Sequence, residues 1–432
     1  MKIAFATLGC KVNQFETQAL TLCAKERGHT VCDFSESAEA YVINTCSVTA
    51  VSDKKSRQLI RKTARAHPQA LIAVCGCFAQ THPEAAVAIE GVDVVSGTGD
   101  KHGFLDLIER AAREKTALCS VDAALRRREF EVLPAGGLPG HTRAMLKVQD
   151  GCVNFCSYCI IPYARGPVRS MPFDAALHEV ARLQAAGYRE IVITGIEISS
   201  YGVDLAPARS LVDLVAAICE AAQDVRIRLG SLEPRTVDAE FCARLSGYSS
   251  LCPQFHLSLQ SGCDATLARM RRKYDSARYF ESVTLLRAAF PNCAITTDLI
   301  VGFPGETEEE FTQTLAFIRR CEFAMMHIFP YSRREGTPAA TMLGQIAKSE
   351  KERRAAQAAE LAKAMRAEYL QKQVGRSLRV LFEECEDGAW QGHAENYALV
   401  RVRSEEELKN RVLPVRIGGA AAEYLTGTIG DF

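Results

Sequence analysis

The sequence predicts an α/β protein made of three consecutive parts: a doubly wound parallel sheet, a partial (β/α)6 barrel and a small β-barrel. Two series of apolar strand-like segments alternating with amphipathic helix-like segments predict the first two parts, because strands that alternate with helices form parallel sheets. Short β-rich runs between turn and charge clusters predict the third part. We place the parts at 1–118, 138–370 and 371–432, with a linker at 119–137.

The composition is that of a globular protein. Of the 432 residues, 47% are hydrophobic and 24% are charged, which excludes a mostly disordered or collagen-like chain. Basic and acidic residues number 52 each, so an argument for a nucleic-acid partner depends on local patches and not on net charge. No apolar run approaches the ~18 residues of a membrane span, and no cleavage-site pattern follows the first strand-like run. We expect a cytoplasmic protein without a membrane partner.

Apolar runs separated by amphipathic stretches predict the first sheet. Strands are expected at 2–8, 41–45, 71–74 and 92–96, and helices at 14–27 and 52–66. This alternation, at a spacing of about 30 residues, is typical of a doubly wound parallel sheet. Residues 119–137 lose the periodicity and end in Pro and Gly, which predicts a linker.

Six further strand candidates predict the partial barrel, which is smaller than the usual eight-stranded one. They lie at 144–148, 191–194, 226–229, 255–259, 294–301 and 325–329. A long charged helix without proline is expected at 348–374. After it, the runs RSLRVLFEEC, YALVRVR, RVLPVRI and LTGTIG have the pattern of a five-stranded barrel.

Three cysteines in GCVNFCSYCIIPYARG follow the first strand of the second part: Cys152, Cys156 and Cys159, which we call the central triad. The chain has 17 cysteines, and an odd number argues against a complete disulfide framework. Three thiolates at this spacing can converge on one face of a loop and hold a four-iron cluster with one iron open to a ligand. The alternatives are a zinc site, which usually takes four ligands and C-x2-C pairs, and inert packing.

Cys10, Cys46 and Cys77, the N-terminal triad, lie just beyond the C-terminal ends of three predicted strands. Parallel strands with crossover helices bring such positions together at one edge of the sheet, where three thiolates could hold a second cluster. Cys75 is a rival to Cys77 but falls inside the predicted strand. We interpret the remaining eleven cysteines as small buried hydrophobes.

Eight segments, in order and over almost the whole chain, resemble the radical S-adenosylmethionine methylthiotransferases. They are TLGCKVNQFET, INTCSVTAVSDKKSRQLIR, GCFAQ, QDGCVNFCSYCIIPYARG, LSLQSG, MRRKY, TDLIVGFPGET and FPYSRREGTPA. The resemblance implies a catalytic [4Fe-4S] cluster on the central triad and an auxiliary [4Fe-4S] cluster on the N-terminal triad. It also favours Cys77 over Cys75, because the family pattern is GCxAQ.

The family reaction, as the resemblance implies it, uses two S-adenosylmethionine molecules. One methylates sulfur held at the auxiliary cluster, and the other supplies a 5′-deoxyadenosyl radical that attacks the substrate. Residues at or near the C-terminal strand ends are the candidate S-adenosylmethionine contacts, as in other barrels: Glu197, Glu233, Gln260 and Asp298. Each has an alternative role as a structural hydrogen-bonding group or cap. The glycines of VGFPGE would let the backbone approach an adenine or ribose, or would only form a turn.

Two basic clusters point to an RNA partner. One follows a face of the helix expected at 52–66 and comprises Lys54, Arg57, Arg61 and Arg65, flanked by Lys55 and Lys62. The other lies near the expected barrel mouth and comprises Arg269, Arg271, Arg272 and Lys273. Such residues could contact phosphates, although a solvated helix face is the usual alternative. The segment LFEECEDGAWQGHAENYALVRV resembles the TRAM module, an RNA-binding β-barrel. Residues 371–432 carry eight basic and ten acidic residues, so recognition there would depend on shape or stacking, with Tyr397 and Trp390 as possible platforms.

Within the family, GCKVNQFET matches the branch that methylthiolates C2 of N6-threonylcarbamoyladenosine at position 37, next to the tRNA anticodon. The expected partners are a tRNA anticodon stem-loop, an electron donor such as flavodoxin or ferredoxin, and a sulfur donor. Alternative substrates are isopentenyladenosine in tRNA and a ribosomal-protein aspartate. Two alternatives belong to a different functional class: a non-catalytic iron–sulfur RNA-binding regulator and an RNA-binding scaffold stabilised by zinc.

Overall fold

The computed structural model describes residues 1–136 and 142–430. It contains an N-terminal parallel sheet, a central open barrel and a closed five-stranded barrel, which confirms the predicted fold class. The predicted boundary between residues 137 and 138 lies outside the described residues. In the described part of the chain, no helix combines the length and the apolar character that a membrane span needs.

Six parallel strands and five helices form the N-terminal part. The strands are β1 (Lys2–Thr7), β2 (Thr30–Cys32), β3 (Ala40–Thr45), β4 (Leu71–Gly76), β5 (Val94–Ser96) and β6 (Leu118–Ser120). The helices are α1 (Lys11–Glu26), α2 (Ala50–Ala66), α3 (Cys77–Thr81), α4 (Pro83–Val87) and α5 (Lys101–Glu114). The three-residue strands β2 and β6 are too short for a periodic pattern, and β6 lies across the boundary predicted after residue 118.

The order of the strands in this sheet is β2-β1-β3-β4-β5-β6. After β1 the chain places β2 on one side of it, and then β3 and the later strands on the other side. In open parallel sheets, a crevice for ligands forms at such a reversal, outside the carboxyl ends of the strands. Residues that directly follow β1 and β3 therefore lie at the expected ligand crevice.

From residue 142 to residue 330, the structure describes eight strands and seven α-helices in the central part. The strands are β7 (Arg143–Asp150), β8 (Arg169–Ser170), β9 (Glu190–Gly195), β10 (Arg226–Leu229), β11 (Ser231–Leu232), β12 (Gln254–Leu257), β13 (Ala294–Val301) and β14 (Met325–Pro330). The helices are α6 (Ile161–Arg165), α7 (Phe173–Ala185), α8 (Leu211–Ala221), α9 (Ala239–Leu245), α10 (Asp264–Arg269), α11 (Ser276–Ala289) and α12 (Glu308–Cys321).

Two four-stranded sheets, ordered β10-β9-β7-β8 and β11-β12-β13-β14, form the open barrel. Only Gly230 separates β10 from β11, so the parallel strands provide six positions around the barrel, as the sequence predicts. The short β8 pairs antiparallel with β7 at an edge. Apolar side chains of strands and helices pack into one large core, in which Leu146, Ile193, Leu257 and Leu299 are completely buried.

A 24-residue helix, α13 (Lys348–Gln371), leads to the C-terminal barrel and ends three residues before the expected end of the helix at 374. The barrel contains β15 (Ser377–Glu386), β16 (Ala389–Ala394), β17 (Leu399–Arg403), β18 (Val412–Ala420) and β19 (Leu425–Ile429). The strands close in the order β15-β16-β17-β19-β18, and the barrel has an apolar core of its own. The five-stranded barrel expected from the sequence is confirmed.

A group of buried charges joins the N-terminal part to the central part. Glu16 of α1 pairs with Arg165 and lies 3.2 Å from Nζ of Lys147. Oδ2 of Asp150 lies 3.0 Å from the same Nζ and 3.4 Å from Nη1 of Arg165. All four side chains are almost completely buried, and we call them the buried ion cluster. Removing one member of such a group leaves an unpaired charge away from water.

Two other polar joints connect distant elements. Arg334, which follows β14, pairs with Asp53 of α2. At the opposite end of the barrel, Glu190 binds Arg226 and Arg228, whose guanidinium groups also donate to backbone carbonyls of the C-terminal barrel. Because Glu190 and Arg226 are the first residues of β9 and β10, the C-terminal barrel docks on the N-terminal ends of the strands.

Glu16→Gln should lower the free energy of unfolding by about 3–5 kcal/mol, because it leaves two buried cations without their full counter-charge. Burial disfavours the charged carboxylate, but Arg165 and Lys147 outweigh burial and hold the pKa of Glu16 well below its ordinary value. The stabilisation is therefore present above about pH 4.3 and is lost as the pH falls. Urea unfolding followed by circular dichroism should show the gap between variant and wild type shrinking below that pH.

Glu36→Gln is the matched control, since it removes the exposed partner of Lys2. Surface ion pairs contribute little to stability, so the unfolding midpoint of this variant should equal that of the wild type. Equal midpoints for Glu16→Gln and Glu36→Gln would contradict the role assigned to the buried ion cluster.

Candidate active site at two cysteine triads

The N-terminal triad lies at the crevice of the N-terminal sheet. Cys10 precedes α1, Cys46 directly follows β3, and Cys77 begins α3 directly after β4. The last residues of β3 and β4 are in register, so Cys46 and Cys77 leave adjacent strands side by side. A Cβ added to Gly9 would lie 3.1 Å from Cβ of Cys46, so the segment with Cys10 passes close to Cys46. The structure therefore brings these three predicted residues together.

Asn13, in the first turn of α1, connects this triad to its surroundings. Its Nδ2 donates to the carbonyl oxygens of Leu8 and Thr45 at 3.1 and 2.9 Å. Its Oδ1 lies 3.4 Å from Sγ of Cys10 and accepts a hydrogen bond from Nη2 of Arg165 at 3.3 Å. The buried ion cluster thus reaches the N-terminal triad through one amide group.

The thiol chemistry of this triad fits a bound metal cluster. Burial raises the pKa of the Cys77 thiol to about 12; the thiols of Cys10 and Cys46 add to this effect, and Arg165 opposes it. Thiolates at this place therefore need further positive charge, which the irons of a cluster would supply. Cys10 is exposed, whereas Cys46 and Cys77 are buried, so one side of the triad is open to solvent.

Cys75, the rival of Cys77, is not part of this group. It lies inside β4 and packs with apolar residues such as Ile3, Val42 and Val94. Burial raises the pKa of its thiol to about 11. Eight of the eleven cysteines outside the triads are buried as expected, but Cys119 and Cys385 are exposed and Cys32 is half-buried.

The central triad lies in the loop between β7 and α6. The N–H of Cys152 donates to the carbonyl of Gly166 at 3.0 Å, which closes the loop onto the end of α6. Gly151 has a φ of 78°, and a Cβ there would lie 1.8 Å from the carbonyl oxygen of Pro167. Only glycine fits this close approach. The backbone conformation of the loop therefore explains why a glycine precedes Cys152.

Arg272 lies directly beside the central triad. Its Nη1 donates to Sγ of Cys156 at 3.2 Å, and its guanidinium group lies 4.8 Å from the ring centre of Tyr274. Burial raises the pKa values of the Cys152 and Cys159 thiols to about 11 and 12; neighbouring thiols add to this, and Arg272 opposes it. Arg272 is therefore a cation held against a cysteine ligand candidate, and this contact favours a role at the central triad over the predicted contact with RNA.

The two triads are neighbours across one short helix. Helix α6 begins two residues after Cys159 and ends at Arg165, and it packs against α3, which begins with Cys77. The thiols within each triad are close enough to raise one another's pKa values. Within residues 1–136 and 142–430, no three His, Cys, Asp or Glu side chains converge closely enough to ligate a single metal ion.

Glu197 and Glu233 follow β9 and β11 near the central triad. Glu197 interacts electrostatically with Cys152 and Glu233, and burial raises the pKa of its carboxyl group. Glu233 lines a small cavity together with Cys156. Each carboxylate also accepts the N–H of the residue two positions later, at 3.1 Å, and thereby caps a one-turn 3-10 helix. The two predicted roles, ligand contact and cap, are thus compatible at these positions.

Gln260 and Asp298 are neighbours through their backbones, since the N–H of Gln260 donates to the carbonyl of Asp298 at 2.9 Å. Asp298 lies within β13, and its Oδ2 is 3.3 Å from Nε2 of His256 on β12. An isolated histidine in a strand carries no sequence signal, so the sequence does not predict His256 as a site residue. The structure brings Glu197 and Glu233 to the central triad and Asp298 to His256.

The glycines of VGFPGE have a packing role. A Cβ added to Gly302 would lie 2.4 Å from Cγ of Lys351 on α13, so the close approach at this glycine is made to a helix of the same chain. Next to it, Glu306 pairs with Arg354 of α13 at 2.7 Å. These contacts favour the predicted alternative of a turn without a ligand.

The basic face of α2 is present in the structure. Its only acidic residue, Asp53, turns inward to Arg334, and Arg57 lies 5.7 Å from the ring centre of Phe78. The other basic residues of this face are exposed: Lys54, Lys55, Arg61, Lys62 and Arg65. In the second basic cluster only Arg271 and Lys273 are exposed, because Arg269 pairs with Glu310 and Arg272 contacts Cys156.

The two aromatic residues proposed as stacking platforms in the C-terminal barrel are engaged elsewhere. Trp390 is 6% exposed and belongs to the apolar core of the barrel. Tyr397 stacks on His393 at 4.6 Å and lies 4.8 Å from the guanidinium group of Arg228. Trp390 therefore fills a core, and Tyr397 forms part of the joint with the central barrel.

Comparisons with known proteins identify the family of the chain. Residues 146–318 match the model of the Radical SAM superfamily, and residues 2–97 match that of Uncharacterized protein family UPF0004. The threonylcarbamoyladenosine tRNA methylthiotransferase MtaB of Bacillus subtilis is 39% identical, over 98% of this chain and 95% of its own length. The tRNA-2-methylthio-N(6)-dimethylallyladenosine synthase of Pelotomaculum thermopropionicum is 30% identical, over 99% of this chain and 97% of its own length.

Among solved structures, the fold is similar to that of the radical S-adenosylmethionine methyltransferase TsrM from Kitasatospora setae. The TM-score is 0.58 at 15% identity, over 90% of this chain and 80% of that chain. The full-length similarity to methylthio-transferring enzymes and the match to the radical superfamily together show the family. The chain belongs to the radical S-adenosylmethionine methylthiotransferase family.

Proposed function

We propose that the protein replaces the hydrogen on C2 of N6-threonylcarbamoyladenosine, at position 37 of tRNA, with a methylthio group, using two S-adenosylmethionine molecules. The observation that carries this proposal is the placement of two cysteine triads on either side of α6, tied together by Arg165. A reaction that removes a hydrogen and adds a sulfur group needs both functions within reach of one substrate atom. Adjacent sites for two clusters meet that need.

The central triad would hold the catalytic [4Fe-4S] cluster, and the N-terminal triad would hold an auxiliary [4Fe-4S] cluster. When bound, the cluster and S-adenosylmethionine supply the one-electron chemistry that removes the substrate hydrogen, and the auxiliary site supplies the sulfur. The chain itself orients these groups. Arg272 holds a positive charge against Cys156, and the loop that starts at Gly151 fixes where the thiols stand.

Four side chains are proposed to contact S-adenosylmethionine: Glu197, Glu233, Gln260 and Asp298. The proximity of Glu197 and Glu233 to the central triad supports this role. A carboxylate at such a place can accept hydrogen bonds from amino or ribose hydroxyl groups of the cofactor. The hydrogen bonds that already cap each glutamate hold its carboxylate in place before the cofactor binds.

The proposed RNA partner is the anticodon stem-loop of tRNA. The exposed basic face of α2 begins at Lys54, eight residues after Cys46, so phosphates on this face would place a loop near the N-terminal triad. Arg271 and Lys273 offer a second positively charged edge beside Cys156. An electron donor such as flavodoxin or ferredoxin and a sulfur donor complete the proposed set of partners.

The choice of threonylcarbamoyladenosine over the dimethylallyl substrate rests on the relatives. The enzyme named for threonylcarbamoyladenosine is 39% identical to the chain, and the dimethylallyladenosine synthase is 30% identical. The motif GCKVNQFET supports the same choice. The dimethylallyl (isopentenyl) nucleoside is the second candidate substrate.

Cysteine variants should separate the two triads. Cys156→Ala should abolish S-adenosylmethionine cleavage, because the catalytic cluster loses a ligand. Cys46→Ala should leave cleavage to 5′-deoxyadenosine but give no methylthio product. The measurement is chromatography of 5′-deoxyadenosine and modified nucleoside after anaerobic reaction with dithionite and tRNA.

Cys75→Ala is the matched control for Cys77→Ala, because the two cysteines are separated by one residue and only Cys77 reaches the triad. Cys75→Ala should keep methylthio transfer, and Cys77→Ala should lose it. Normal methylthiolation by the Cys46 variant would contradict the two-cluster assignment. An absence of 5′-deoxyadenosine from the wild-type protein would instead favour the non-catalytic regulator.

Deleting the gene should remove methylthio-threonylcarbamoyladenosine from cellular tRNA and make its unmethylthiolated precursor accumulate. Mass spectrometry of tRNA nucleosides measures both species, and a plasmid copy of the gene should restore the wild-type pattern. A change confined to the isopentenyl nucleoside would assign the second candidate substrate. Unchanged nucleosides would redirect the search to a protein substrate, first the ribosomal-protein aspartate.

A further inference from the structure

A row of polar side chains crosses the interior of the central barrel and ends at Asp298. On β13, Thr297 faces outward, because its hydroxyl lies 3.2 Å from Oη of Tyr279 on α11. Successive residues of a strand point to opposite faces, so Thr296 and Asp298 point into the barrel. His256 reaches the same space from the neighbouring strand β12.

Each member of this row lies within contact distance of the next. Nη1 of Arg228 is 3.4 Å from Oε1 of Gln254, and Nε2 of Gln254 donates to Oγ1 of Thr296 at 3.2 Å. The same hydroxyl is 3.0 Å from Nδ1 of His256. Nε2 of His256 is 3.3 Å from Oδ2 of Asp298. The row therefore joins an arginine on β10 to a carboxylate on β13.

The chemistry of these groups gives the row one direction. The amide nitrogen of Gln254 can only donate, so Thr296 accepts from it and has its own hydrogen free for Nδ1 of His256. A histidine that accepts at Nδ1 carries its proton at Nε2, the nitrogen that faces Asp298. Donors then point along the row as far as Nε2 of His256, and the hydrogen bonds aligned behind this histidine strengthen one another. The last link is an ion contact, with 3.3 Å between Nε2 of His256 and Oδ2 of Asp298.

The row is anchored at its arginine end and open at its aspartate end. Arg228 is 1% exposed, and it is held by Glu190 and by the carbonyl of Glu395 in the C-terminal barrel at 3.0 Å. Gln254 and Thr296 are also buried. The side chain of Asp298 is 31% exposed, so it is the end of the row that faces space inside the barrel.

We propose that His256 is a positioning residue: its Nε2–H holds the carboxylate of Asp298 in the orientation that contacts S-adenosylmethionine. The inference rests on the proposed function, in which Asp298 contacts that cofactor. His256 itself does not touch the cofactor and acts only through Asp298. The hydrogen-bonded row behind the histidine fixes its tautomer and its ring.

A pair of amide variants tests this role. In His256→Gln the side-chain nitrogen can reach the position of Nε2, whereas in His256→Asn it reaches only that of Nδ1. The dissociation constant of S-adenosylmethionine, measured by equilibrium dialysis on the anaerobically reconstituted holoenzyme, should rise roughly tenfold for His256→Asn, as for loss of a polar contact to a charged group. His256→Gln should stay within about twofold of the wild type.

A double-mutant cycle tests whether His256 acts through Asp298. Asp298→Ala should weaken cofactor binding, and adding His256→Asn to it should weaken binding no further. Iron content and the melting temperature of each variant show whether the clusters and the fold are retained. A merely structural histidine would instead lower the melting temperature equally in the Gln and Asn variants.

Any of three results would overturn the inference. The first is a double variant whose dissociation constant rises by the product of the two single-variant increases. The others are equal dissociation constants for the Gln and Asn variants, or unchanged cofactor binding in Asp298→Ala. The proposed function has a separate test. If the wild-type protein binds S-adenosylmethionine but forms no methylthio nucleoside, the proposed function is contradicted. The dialysis measurements still decide the role of His256 in that case.

Discussion

The relative position of the two cysteine triads depends on the buried ion cluster. Arg165 ends the helix that follows the central triad, and it binds both Glu16 and the amide of Asn13 next to Cys10. Charges removed from water tolerate little displacement, because each loses its compensation when a partner moves. The geometry between the triads is therefore set by electrostatics with directional hydrogen bonds, which is more specific than apolar contact.

The same principle recurs at the other joints of the molecule. Each of the three parts has an apolar core, and Phe15 and Ala19 of α1 extend the core of the central part. Arginines add directed polar contacts between the parts. Arg334 reaches α2, while Arg226 and Arg228 reach backbone carbonyls of the C-terminal barrel. Guanidinium groups suit this purpose because their planar set of donors binds several acceptors at fixed angles. Apolar packing folds the parts and, at α1, also joins two of them, whereas the ion pairs supply the directional contacts between them.

Local patterns predicted the long strands, the five-stranded barrel and the gathering of Cys10, Cys46 and Cys77, because strand ends in a parallel sheet are neighbours. What the sequence could not predict depends on distant pairs. Arg272 and Cys156 are 116 positions apart, and a cation in a basic cluster looks the same whether it faces a thiol or a phosphate. In the sequence, Trp390 and Tyr397 likewise have the pattern of surface aromatic residues. The structure places Trp390 in the core of the C-terminal barrel and Tyr397 at the joint with the central barrel.

The docking of the C-terminal barrel sets a minimum reach for any ligand shared by both ends of the central barrel. Its contacts are with residues that begin the strands, whereas the central triad follows the end of β7, a strand of eight residues. At 3.3 Å per residue, this strand spans about 26 Å. A ligand that touches both the residues of this joint and the central triad has to cover about that distance. A lone nucleoside is too short, so contact with both ends would select polymers by length before any base is read.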